Sequence, residues 1–126
     1  MKALLLALLF VSPAVARADL VFKCRSGSPN DDLSVNLRFD ERGRGGRIEV
    51  DRWTGYPPTP LVYADLKGPV SRDGRAVYAS ETDPSSGARA DIALPLSFLK
   101  ENAYSATLSL VQKGRAAAFS LSCERF

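Results

Sequence analysis

The chain has 126 residues with 17 Lys plus Arg against 14 Asp plus Glu, two cysteines and no histidine. Without histidine, the Ser-His and Cys-His nucleophile pairs cannot be built, and the commonest metal ligand is missing. The near balance of charge gives no general reason to expect nucleic acid, whose phosphates demand a basic surface.

The amino end reads as an export signal. Lys2 forms a positive start, Ala3 to Val11 is an apolar run, and Ala16-Arg17-Ala18 has the small-x-small form cut by signal peptidase. The apolar run is shorter than the roughly 18 to 20 residues needed to cross a bilayer, so cleavage after Ala18 is expected and membrane insertion is not. The chain divides into a signal at residues 1–18 and a single domain at residues 19–126 of periplasmic or secreted location. Lys2 and Arg17 leave with the signal, so the mature domain carries 15 basic and 14 acidic residues.

From Asp19 onward the periodicity is that of strands. Leu33, Val35, Leu37 and Phe39 alternate with Ser34, Asn36 and Arg38, giving one apolar face. Ala88 to Leu96, Tyr104 to Leu110 and Ala117 to Cys123 repeat that alternation. Less regular strands are expected at Leu20 to Arg25, Arg47 to Trp53, Leu61 to Leu66 and Arg75 to Glu81, about eight in all. Between them, Ser26 to Asp31, Glu41 to Gly46, Arg72-Asp73-Gly74, Asp83 to Gly87 and Lys113-Gly114 carry turn-forming residues. Only Ser97 to Asn102 is suited to a helical turn. The expected fold is all-β, an antiparallel β-sandwich or a small closed barrel.

Cys24 shares the parity of Leu20 and Phe22, and Cys123 that of Phe119 and Leu121. Both thiols therefore face the core, and a disulfide between them makes the first and last strands neighbours. Immunoglobulin domains place the bridge on central strands, whereas here it brackets nearly the whole domain. The chain ends in Phe126, as outer-membrane barrels often do, but Ser120, Ser122 and Glu124 share its parity and are polar.

Catalytic groups are few. Asp31-Asp32 and Asp40-Glu41 are carboxylate pairs of the kind glycosidases use, but they lie in expected turns where solvated charge is their ordinary role. Asn30, Asp31 and Asp32 lack the spacing of a calcium loop, and neither a metal site nor a cofactor is expected. The Arg42-Gly43-Arg44-Gly45-Gly46-Arg47 run reads as a glycine-rich turn between Asp40-Glu41 and Glu49-Asp51, with no nucleic acid implied.

Binding is what remains, toward a protein or glycan partner. Arg52-Trp53-Thr54-Gly55-Tyr56-Pro57-Pro58-Thr59-Pro60, followed by Tyr63, holds the only tryptophan beside three prolines that keep the chain extended and out of a sheet ladder. Arg52, Trp53, Tyr56 and Tyr63 are the candidate partner-binding residues. The competing placement folds Trp53 and Tyr56 inward to plug one end of the sheet.

Ser86-Gly87-Ala88-Arg89, with Lys113-Gly114 later in the chain, resembles the Ser-Gly loop and Lys-Gly element of periplasmic C-type lysozyme inhibitors, small exported β-barrels. The resemblance implies Ser86 and Lys113 as contacts to lysozyme carboxylates. Ala90 and Val111 stand where that pattern has tyrosine and tryptophan, and the two elements are more widely separated than in the family. The expectation is thus a non-catalytic exported binding module. Its alternatives are an inhibitor of a cell-wall lytic enzyme and a structural or envelope-assembly protein.

Overall fold

Eight strands run in chain order and close on themselves as an antiparallel barrel. The computed structural model describes residues 19–27 and 32–126, so residues 1–18, where the sequence leads one to expect an export signal, and Asn30-Asp31 lie outside the described residues. The strands are β1 (Leu20–Ser26), β2 (Leu33–Phe39), β3 (Gly46–Arg52), β4 (Thr59–Arg72), β5 (Arg75–Ser80), β6 (Arg89–Pro95), β7 (Ala103–Gln112) and β8 (Arg115–Arg125). A 3-10 helix, Phe98–Lys100, joins β6 to β7 within the segment expected to hold a helical turn.

Closure comes from pairing of β8 with β1, where Cys24 stands directly opposite Cys123. The disulfide joins them with the Cα atoms 4.0 Å apart, and both cysteines are buried. A barrel rather than a sandwich results, because a sheet hydrogen-bonded around its whole circumference has no edges to cover. Alternation supplies the contents. Phe22, Leu37, Ile48, Val50, Ile92, Leu94 and Leu108 point inward and are wholly buried.

β4 departs from the sequence expectation in two ways. It runs 14 residues instead of stopping at Leu66, pairing with β3 through its first half and with β5 through its second. The chain passes Gly68-Pro69 through an irregular register. The irregularity is tied to Gly68, at φ 139°, where a Cβ would meet the Val77 carbonyl oxygen at 2.9 Å. Pro60 of β4, expected to stay outside any ladder, pairs with Asp51 of β3. It does so beside the register shift after Val50, where a bulge tolerates a missing N–H and buries both Leu61 and Val62.

Odd-numbered connections gather at one end of the barrel and even-numbered connections at the other. At the end holding the β2–β3, β4–β5 and β6–β7 connections, Phe98 enters the interior from the 3-10 helix at 2% exposure. Its ring lies 5.2 Å from Phe39, 5.9 Å from Phe22, 6.0 Å from Tyr78 and 6.3 Å from Tyr104. The Tyr78 hydroxyl donates to the Gly43 carbonyl and ties the β2–β3 turn to the same cluster. Burial, with Asp40 nearby, pushes that phenol up to about 12. Leu96, placed on the inward face by parity, is exposed instead, because β6 ends at Pro95 before reaching it.

Candidate functional site

The opposite end carries the β1–β2, β3–β4, β5–β6 and β7–β8 connections, and with them most residues singled out by the sequence. The β3–β4 loop leaves the barrel at Arg52. Its entry is fixed by the Trp53 N–H donating to the Asp32 carbonyl at 2.8 Å. Trp53 is 41% exposed and Tyr56 91% exposed, so neither plugs the barrel; the plug is Phe98 at the far end.

Tyr63 parts company with the other three. It sits on the outer wall of β4 opposite Glu49 of β3, and its hydroxyl donates to Asp51 Oδ1 at 2.6 Å. That bond to a carboxylate, strengthened by partial burial, raises the phenol to about 12. Arg52 instead continues the inward parity of Ile48 and Val50 and lines the barrel mouth. The four residues grouped by the sequence thus divide between mouth, loop and wall.

The β5–β6 loop, residues 81–88, is folded around Asp83. Its Oδ2 accepts from the Tyr63 N–H at 2.9 Å and its Oδ1 from the Ser85 N–H at 2.8 Å, while the Gly87 N–H donates to its carbonyl. The two N–H groups hold this buried carboxyl below the usual carboxylate range. A depressed folded value contributes stability above the unfolded range of about 4, which is lost as pH falls through the folded value. Asp83→Asn should therefore reduce stability near neutral pH and flatten its acid dependence. Urea midpoints taken at about pH 7 and about pH 3 check this, and parallel midpoints for variant and parent would contradict it.

Ser86 is turned toward its own chain. Its hydroxyl donates to the Leu61 carbonyl and accepts from the Ala88 N–H at 3.2 Å, stapling the loop to the start of β4. Lys113 is exposed at the tip of the β7–β8 hairpin, where it and Gly114 take φ of 53° and 73° in a two-residue turn. Because Arg89 pairs with Val111, the loop holding Ser86 and the turn holding Lys113 are adjacent on the rim. Their distance along the chain is spanned by one hairpin.

Between these connections lies the barrel mouth, a cavity of about 720 Å³ lined by Arg52, Leu110, Gln112, Lys113, Arg115, Ala117 and Phe119. Gln112 and Arg115 were not singled out by sequence, although they end the inward stripes that Leu108-Leu110 and Phe119-Ala117 begin. A separate hollow of about 520 Å³ lies on the outer wall of β1 to β3, where Lys23 Nζ stands 3.8 Å over the Phe126 ring. It holds none of the loops.

The remaining charged segments have local partners. Asp40 Oδ1 accepts from the Arg42 and Arg44 N–H groups, each at 2.9 Å, and so shapes the glycine-rich turn. Arg47 reaches Asp65 at 3.4 Å. Among the described residues, no group of three His, Cys, Asp or Glu is placed to hold a metal, and no helix is long and apolar enough to cross a membrane. Comparison with protein-family models, curated proteins and solved structures yields no match for this chain.

Proposed function

We propose that the protein is an exported, non-catalytic binding module that engages its partner with the loop-bearing rim. The observation carrying this reading is the convergence, on one end of a closed barrel, of the Trp53–Tyr56 loop, the Asp83–Ala88 loop and the Lys113 turn around an open mouth. Rigid scaffolds that present loops at one end are a recurrent solution for binding. Exposed Trp and Tyr side chains offer large apolar area with little rotamer entropy to lose. The buried bridge supports export, since such cross-links persist in oxidising compartments. A sheet with no open edge favours this reading over an assembly role through strand addition.

A second reading, inhibition of a cell-wall lytic enzyme, is favoured by the adjacency of the Ser86 loop and the Lys113 turn. The exposure of Lys113 at the hairpin tip supports its contact with a carboxylate in the enzyme's cleft. Ser86, with its hydroxyl committed to Leu61, would act by shaping the loop.

Trp53 is the only tryptophan and reports on both readings. Its emission in free protein should be red-shifted and readily quenched, and should move to the blue when a C-type lysozyme or a wall glycan fragment is bound. Trp53→Ala should leave stability within about 0.5 kcal/mol of the parent, as an exposed substitution does, while weakening binding. If lysozyme is inhibited, Lys113→Ala should weaken inhibition. A quencher-resistant Trp53 whose alanine variant unfolds would reject the rim reading.

A further inference from the structure

The mouth itself has a chemistry that the loops do not explain. Lys113 and Arg115 line it on either side of the β7–β8 turn, with Gln112 beside them and Arg52 across from them, and no carboxylate is among the described lining residues. This is a local concentration, because the whole chain is nearly balanced at 17 basic against 14 acidic residues. Like charges of this kind beside a concave, partly desolvated surface attract anions. The floor is apolar, formed by Leu110, Ala117 and Phe119.

The depth of the site narrows the ligand. Below the mouth the barrel is filled, with Leu33, Val50 and Leu108 fully buried and Leu110 nearly so. An alkyl chain has no channel to enter, which removes the lipid and fatty-acid classes that hollow barrels hold. What fits is a broad ligand with one apolar face and acid groups at its margin. A pyranose ring has such a face in its axial C–H groups, and Trp53, next to Arg52, offers an exposed ring for stacking at the border. The volume lies within the range of about 300–1,000 Å³ usual for small-ligand sites.

We infer that the barrel mouth is a site for a carboxylated saccharide, its acid groups held by Lys113 and Arg115 and its ring resting on Leu110 and Phe119. The inference rests on the rim being the binding surface and adds the chemical class of ligand. Guanidinium groups take carboxylates through paired N–H donors, whereas the lysine contributes a movable charge. Carboxylated sugars come from uronate polymers or from lactyl-bearing wall glycans, and both present the same group to this mouth.

Calorimetric titration of the intact oxidised protein with tetragalacturonate, with its full methyl ester and with N-acetylmuramic acid tests the inference. Saturable binding of tetragalacturonate or N-acetylmuramic acid is expected, the stronger of the two identifying the source, with none detectable for the ester. Raising the salt should weaken binding, since screening shortens the reach of surface charge. The double variant Lys113→Gln, Arg115→Gln should bind about tenfold more weakly or worse at unchanged melting temperature. Equal binding of ester and acid, full binding by the double variant, or no binding of either acid would each overturn it. If neither acid binds while Trp53 emission still responds to lysozyme, the saccharide inference falls and the rim reading stands; if Trp53 responds to nothing, both fall.

Discussion

Reduction of the Cys24–Cys123 bridge should lower the melting temperature by on the order of 20 °C. The two cysteines are 99 positions apart, so the bond closes almost the entire domain into one loop. In the chain-entropy account a loop of this size contributes about 4 to 5 kcal/mol, and each kcal/mol moves the midpoint of a domain this small by several degrees. The location adds to the effect. β1 and β8 form the seam of the barrel, and the cysteines lie opposite each other inside it. Thiol titration of native protein should find no reactive equivalent, and calorimetry before and after reduction should show the drop. Two free thiols in native protein, or a reduced form melting within about 3 °C of the oxidised one, would remove the bridge from the account of stability.

Phe98→Ala should cost about 3 to 5 kcal/mol, the range for deleting a buried aromatic ring. Phe98 meets Phe22, Phe39, Tyr78 and Tyr104, so its loss opens a cavity at the end of the barrel that its ring closes. A three-residue helix cannot refill that space by shifting along its axis without leaving its turn. The neighbouring rings should then loosen together, visible as lost near-ultraviolet dichroism. Denaturant unfolding measures the effect, and a loss below about 1 kcal/mol would show that the aromatic end is not a plug.

The strands were legible because inward and outward residues alternate. Leu33-Val35-Leu37-Phe39 predicts β2 to the residue, and the parity of Cys24 and Cys123 predicts their pairing. What local pattern could not supply was anything decided across the barrel. Whether eight strands close or stack depends on how β8 meets β1, and the length of β4 depends on β5 accepting a strand that runs on past Gly68-Pro69. Phe98 sits in a stretch too short for periodicity, so the plug was sought in the more conspicuous Trp53.

The site was legible in pieces. Ser86 and Lys113 become neighbours only through the β6–β7 register, and Tyr63 leaves the group only when strand parity turns it to the outer wall. The mouth has a signal in the sequence. Arg52 follows Ile48 and Val50, and Gln112 follows Leu108 and Leu110, each a polar residue closing an inward apolar stripe. In a closed barrel that pattern marks the rim of the opening.

The rim's proposed role is tested most directly by photocrosslinking in the cells that make the protein, with a photoreactive phenylalanine analogue at Tyr56 in one chain and at Leu96 in another. Both side chains are exposed, and they sit at opposite ends of the barrel. The account predicts a discrete partner adduct from position 56 and none from position 96. Adducts from position 96 alone, or equally from both, would contradict it.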